Sequence, residues 1–243
     1  MARLECLVHL VHSSGHADVQ IRRGLASRRS FVSRTDLVYL RLTCLLFAGA
    51  IFAGCGSSAS VPAPTRTAQT AFAHPPATVI DAGRSYMATV TTSDGTFSIK
   101  LLPKVAPIAV NNFVFLARHH YYDNMPIFRI YNRFMFQTGD PTGTGTGGPG
   151  YSIKDERVTM PYTLGTVAMA NTGQPNTAGA QFFVIVAPVW KFKKSSFTIF
   201  GKVVSGFDVL QKIADTPVQV NPVTQELSEP VNDVTVYRIR VRG

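Results

Sequence analysis

The chain has 243 residues, 45% hydrophobic and 16% charged, with a formal net charge of +10. This is enough for one sizeable globular domain with extensions, and the lack of heptads, tandem repeats or long charge runs excludes a coiled coil or a solenoid. The charge is uneven: residues 1–54 hold seven Arg and three acids, leaving 17 basic against 11 acidic groups in residues 55–243. The densest basic run, Lys191, Lys193 and Lys194, falls in an expected loop, so the chain lacks the basic stripe of a nucleic-acid binder.

Residues 1–54 are expected to be an export segment. Arg22, Arg23, Arg28, Arg29 and Arg34 precede an apolar run, "LTCLLFAGAIFAG" (42–54), which is too short to span a bilayer comfortably and ends on small residues, the parts of a secretory signal. The ending "AGC" resembles a bacterial lipobox, in which Cys55 would be lipidated, although Phe52 stands where Leu is usual. The expected location is therefore extracytoplasmic, anchored to the cell membrane through Cys55, or secreted if Cys55 is unmodified. Residues 55–83, rich in Ala, Pro, Ser and Thr, read as a flexible tether.

The folded domain is expected over 84–243. "YMATVTTSDGTFSIKLLP" (86–103) alternates on both sides of "SDG" and predicts a hairpin. In "VAPIAVNNFVFLARHHYY" (105–122) the apolar residues Val110, Phe113, Val114 and Ala117 recur at helical spacing, with Pro107 in the first turn. "FRIYNRFMFQTGD" (128–140) is read as a strand. Its core face is Phe128, Ile130, Phe134 and Phe136, and its other face (Arg129, Tyr131, Arg133, Met135, Gln137) suits neither water nor a core.

"GTGTGGPG" (143–150) lacks the Lys-Ser/Thr ending of a phosphate-binding loop and is expected as a surface turn. "TLGTVAMAN", "QFFVIVA" and "FTIFGKVVSG" supply further strands. "SGFDVLQKIADT" places Phe207, Leu210 and Ile213 on one helical face, with Ser205 and Asp208 in a capping pattern. "VNDVTVYRIRVRG" ends the chain as a strand. Many short strands with only two helices predict a mainly β, closed barrel.

Cysteines and histidines offer little chemistry. Cys6, Cys44 and Cys55 all precede the domain, and the adjacent His119 and His120 near a helix end point in different directions, so no metal site and no cofactor is expected.

"FRIYNRFMFQTGD", "GTGGPGYSIKDE", "GTVAMANTGQPNTAGAQFF" and "FTIFGKV" occur in the order and approximate spacing of the cyclophilin family of peptidyl-prolyl cis–trans isomerases, which residues 84–243 resemble. The resemblance implies an eight-stranded antiparallel barrel capped by two α-helices, and catalysis of rotation about X–Pro bonds without a covalent intermediate. It places the catalytic arginine at Arg129, the proline pocket at Phe134, Met135 and Phe183, and substrate-positioning groups at Gln137, Ala170, Asn171 and Gln181. Phe197 stands where many eukaryotic members have a pocket histidine, Phe192 or Trp190 stands in for a pocket tryptophan, and the loop after Asn171 is one residue longer than usual. The implied partners are proline-containing peptides and unfolded exported proteins, with a monomeric chain and no nucleic acid. The alternative is a proline-peptide binding module or chaperone with little turnover.

Overall fold

The computed structural model describes residues 69–188 and 197–243. Ten strands and two helices follow in chain order: β1 (Met87–Thr92), β2 (Gly95–Leu101), α1 (Pro107–Arg118), β3 (Met125–Tyr131), β4 (Met135–Thr138), β5 (Thr166–Met169), β6 (Phe182–Ile185), β7 (Ile199–Ser205), α2 (Phe207–Ala214), β8 (Val218–Val220), β9 (Leu227–Pro230) and β10 (Thr235–Arg242). Eight of them close an antiparallel barrel in the order β1-β10-β3-β4-β6-β5-β7-β2, while β8 and β9 pair separately as a hairpin. Closure leaves none of the eight with a free edge, which removes the usual hazard of edge-to-edge association.

The barrel interior is filled by alternate side chains of its strands: Val90, Phe97, Ile99, Ile130, Phe136, Phe182, Val184 and Phe200 are all buried there. Helix α1 adds Val110, Phe113, Val114 and Ala117 to this core, as its spacing predicts, with Pro107 in its first turn. Its N-terminus has no cap of its own. Ala106 offers no side-chain acceptor, and the carboxylate of Glu156 supplies one, accepting from the N–H groups of Ile108 (2.8 Å) and Ala109 (2.9 Å). Two otherwise orphaned helix donors are thus satisfied from a distant loop.

Three sequence expectations are corrected. In α2 the residue before the helix is Gly206 in the left-handed region (φ 80°), with no side-chain cap, so Ser205 does not cap it. A Cβ at Gly206 would lie 2.6 Å from the Thr96 carbonyl oxygen, and this close approach favours glycine over a capping side chain. Leu210 and Ile213 are buried as expected, but Phe207 lies at the helix start and is 42% exposed. The third correction concerns the tether.

Residues 69–83 have no helix or strand, yet they hold to the domain. The Phe72 N–H donates to Pro149 O (2.8 Å) and the Val79 N–H to Asn111 Oδ1 (2.7 Å), and Phe72 and Ile80 pack on the core. Two large apolar side chains in a Pro-rich segment bind it by burial, which composition alone does not show. No helix among the described residues is long and apolar enough to cross a membrane.

Candidate functional site

The stretch 128–140 is a hairpin, where a single strand is expected. β3 pairs antiparallel with β4, with Arg129 opposite Gln137, Ile130 opposite Phe136 and Tyr131 opposite Met135. The reversal occupies Asn132–Phe134, with Arg133 in the left-handed region at φ 58°. Asn132 ties this loop to the end of α2, its Nδ2 donating to Ala214 O (2.8 Å) and Thr216 O (3.2 Å). Because odd residues face odd residues across the hairpin, the four odd-numbered strand residues Arg129, Tyr131, Met135 and Gln137 still share one face.

Arg133 and Phe134 lie in the loop and follow no strand parity, which removes the conflict over whether Phe134 faces the core. β3 also carries a bulge at Phe128, where the register shifts between Ile127 and Arg129. The extra residue inverts the alternation, so Ile127 and Ile130 both point inward and Phe128 is half-buried beside Gly145 instead of in the core.

The outward face of β4, β6 and β5 is apolar in its own right. Met135, Ala168, Phe183, Ile185 and Ile199 form a second buried cluster with Tyr162, separate from the barrel core. Phe134, Ala170, Phe197, Leu102, Tyr131 and Val158 border it, half-buried. Phe183 and Phe197 meet edge to face with centroids 5.4 Å apart. The Tyr162 hydroxyl donates to the Phe197 carbonyl (2.5 Å), fixing the backbone that carries that ring. Both faces of these three short strands are therefore buried, which is why they read as continuous apolar runs.

Beside the cluster runs a row of polar groups joined end to end. Asp140, fully buried, accepts from the Thr142 N–H and hydroxyl (2.7 Å each), the Gly145 N–H (2.7 Å) and the Gly147 N–H (3.0 Å), and so shapes the Gly-rich loop. Gly147 has no room for a side chain, since a Cβ there would come within 2.0 Å of the Asp140 carboxylate. The loop's carbonyls at Gly145 and Gly147 accept from Gln181 Nε2 (3.0 and 2.8 Å). That orients the Gln181 amide so that its oxygen accepts from Gln137 Nε2 (2.8 Å), and the Gln137 oxygen in turn accepts from an Arg129 terminal nitrogen (3.2 Å). Each amide has one self-consistent orientation, set from the buried aspartate outward.

The second terminal nitrogen of Arg129 meets Glu226, 2.8 Å from Oε2 and 3.0 Å from Oε1, and reaches the Tyr131 hydroxyl at 3.4 Å. The guanidinium carbon lies 4.9 Å from the Tyr131 ring centroid. Burial raises the Tyr131 phenol above its ordinary range despite the neighbouring guanidinium, so this hydroxyl stays neutral. Of the five N–H donors of Arg129, these partners engage three. Nε is buried without a partner among the described residues.

Expected residues thus come together in two groups. Arg129, Gln137 and Gln181 form the polar row, and Phe134, Met135, Ala170, Phe183 and Phe197 form or border the apolar wall. Asn171 follows Ala170 but turns its oxygen to the Gly173 N–H (3.0 Å), while the Ala170 N–H donates to Gln181 O (2.9 Å). Phe192, Trp190 and Cys55 lie outside the described residues. Asp140, Tyr162 and Glu226 were not foreseen. The "D-x-T-G-x-G-x-G" pattern at 140–147 is a signal for the first; Glu226, 97 positions from Arg129 in sequence, carries none.

A closed barrel bearing on its outer wall an apolar cluster and a parallel row of hydrogen-bonding groups defines a small β-barrel protein with a mixed apolar and polar outer face. The model of the cyclophilin type peptidyl-prolyl cis-trans isomerase family matches residues 87–241, more than half of the chain, and the protein belongs to that family.

Among similar proteins, peptidyl-prolyl cis-trans isomerase-like 1 of Aspergillus oryzae is 42% identical over 155 residues, covering 62% of this chain and 91% of that protein. Peptidylprolyl isomerase domain and WD repeat-containing protein 1 of mouse is 43% identical over 164 residues, covering 64% of this chain but only 24% of that protein. This chain therefore matches about a quarter of the length of the longer relative. The crystal structure of a Cryptosporidium parvum cyclophilin type peptidyl-prolyl cis-trans isomerase superposes with a TM-score of 0.60 at 28% identity, covering 66% of this chain and 99% of that one. The same protein has been solved in the presence of the dipeptide Ala-Pro. These relatives are eukaryotic, so they lend nothing to the bacterial origin suggested by the lipobox resemblance.

Proposed function

We propose that this protein accelerates cis–trans isomerisation of X–Pro peptide bonds, with Arg129 acting on the twisted amide. The uncatalysed barrier, roughly 18–20 kcal/mol, comes from amide resonance and no bond has to break, so catalysis requires binding the twisted state better than either planar form. Twisting localises the lone pair on the proline nitrogen and makes it a better acceptor, which a held guanidinium can exploit. The observation that carries this reading is the hydrogen bond from Arg129 to Gln137, which lies opposite Phe183 of the Met135–Phe183 apolar cluster.

In this reading Phe134, Met135 and Phe183 hold the proline ring, and Phe197 extends the same apolar wall. Gln137, Gln181, Asn171 and the Ala170 backbone hold the chain on one side of the rotating bond. The ring and one flank are anchored while the carbonyl before proline swings. Phe192, a neighbour of Phe197 in sequence, is assigned to the same wall by the family resemblance. That a family member was solved with Ala-Pro supports an X–Pro ligand for this chain.

The test is the cis-to-trans rate of a short X–Pro peptide with the parent protein and with Arg129→Ala. The expected loss in kcat/KM is about 100-fold, comparable to removing one transition-state donor. An equally fast Arg129→Ala protein would refute the role of this residue. A parent that binds the peptide without accelerating it would favour the alternative, a proline-peptide binding module.

The same reading extends to place. Residues 42–55 have the apolar run and the Cys55 context of a lipoprotein signal, which supports an isomerase held by a lipid at Cys55 outside the cytoplasm and acting on exported proteins, and we propose that it acts as a monomer. Subcellular fractionation tests the anchor, and sedimentation at the mass of one chain tests the monomer.

A further inference from the structure

We infer that Glu226 is a positioning residue for Arg129, an inference that rests on the isomerase reading above. Its carboxylate holds the guanidinium by one terminal nitrogen so that the other terminal nitrogen is presented along the groove.

The β8–β9 hairpin exists outside the barrel sheet, and its connecting turn is braced from within. Asn221 Oδ1 accepts from the N–H groups of Val223 and Thr224 (2.9 Å each), and the Asn221 N–H donates to Glu226 O (2.8 Å). The Gln225 N–H donates to Asn221 O (2.9 Å) with Gln225 in the left-handed region, φ 59°. At the base of the hairpin the Val231 N–H donates to Pro217 O (2.8 Å). The backbone of Glu226 is therefore fixed before its side chain meets anything else.

That side chain is 17% exposed and its partner's is 31% exposed, so the pair is partly withdrawn from water. In such surroundings a carboxylate orients a guanidinium more firmly than on an open surface, where ion pairs contribute little. Both Glu226 oxygens sit on the same terminal nitrogen, the one that also meets the Tyr131 hydroxyl. The other terminal nitrogen donates once, to Gln137, and keeps a second N–H for an acceptor in the groove.

Without Glu226, the guanidinium is held by Gln137 and the Tyr131 ring, and its second terminal nitrogen keeps only the long contact to the Tyr131 hydroxyl (3.4 Å). A long arginine side chain then has more rotamers to lose each time the twisted amide is bound. Since a slightly misplaced group loses interactions made only in the transition state, the effect falls on kcat more than on KM.

The experiment compares the full chain, Glu226→Ala, Glu226→Gln, Arg129→Ala and the Arg129→Ala/Glu226→Ala double variant on one X–Pro peptide, with far-UV circular dichroism as the control for folding. The expectation is a loss of roughly 10-fold in kcat/KM for Glu226→Ala, carried by kcat. Glu226→Gln keeps one acceptor oxygen and should recover most of the rate. The double variant should be no slower than Arg129→Ala alone, because Glu226 acts only through Arg129. A Glu226→Ala protein as fast as the parent or faster overturns the inference, as does an additive double variant. A parent without activity is a different failure, that of the isomerase reading itself.

Discussion

Asp140 offers the sharpest test of how the site is supported. Asp140→Asn conserves shape but removes the charge and turns one acceptor into a donor. If the amide nitrogen takes the place of Oδ1, the Thr142 hydroxyl can rotate to accept it and donate to Thr144 Oγ1 at 2.8 Å, stranding only the Thr142 N–H. If it takes the place of Oδ2, the N–H groups of Gly145 and Gly147 both lose their acceptor. The first arrangement costs less: one part-buried donor left without its acceptor and the remaining bonds weakened from charged to neutral, about 1–3 kcal/mol in all.

The charge also gives a signature in acid. Burial pushes the Asp140 carboxyl up, but the bonds from Thr142, Gly147 and Gly145 outweigh it and hold the folded value below the ordinary 3.8. A depressed folded value means that this group stabilises the fold above the unfolded pKa and that the stabilisation is lost as pH falls through the folded one. Denaturant unfolding of both proteins across that acid range reads both effects. The parent should lead at neutral pH, and its lead should shrink as acid protonates Asp140. An Asn variant within about 0.5 kcal/mol of the parent at neutral pH, with an identical acid limb, would show that the carboxylate does not organise the loop.

Removing the borrowed cap on α1 should act differently. Glu156→Ala strands the N–H groups of Ile108 and Ala109 and should cost about 1–2 kcal/mol. Burial raises the Glu156 carboxyl above its ordinary 4.5 despite those two bonds. The folded state therefore holds this proton more readily than the unfolded chain, and the group's contribution to stability declines as pH rises from the ordinary value through the raised one. A stability difference between parent and Glu156→Gln that does not change over that interval would contradict this sign. For the anchor, Cys55→Ala should move the protein from the membrane fraction to the soluble fraction; unchanged fractionation would refute lipidation at Cys55.

What was legible in the sequence follows from the range of the interactions involved. The hairpin at Ser93–Asp94, helix α1 with Pro107 in its first turn, and the shared face of Arg129, Tyr131, Met135 and Gln137 are all encoded by neighbours within a few residues. Periodicity reads such signals. The two-residue alternation holds even though the expected single strand is a hairpin, because a three-residue loop places odd residues opposite odd. It fails at Phe128, where a bulge inserts one residue, and at Phe207, which continues the helical spacing but stays 42% exposed at the helix start.

Asp140 was half legible, since acid, threonine and glycines at short spacing suggest a turn organised by a side chain. Glu156 and Glu226 were not legible at all. One serves a helix 47 and 48 positions earlier and the other a guanidinium 97 positions earlier, across strands whose register had first to be known. The two carboxylates act alike in physical terms, because each meets donors that their own element leaves unpartnered. Local pattern specifies which faces exist, whereas the groups that hold a face in working geometry are chosen by the closed barrel. The positioning residues of this site are therefore found by asking of each buried donor what accepts its proton.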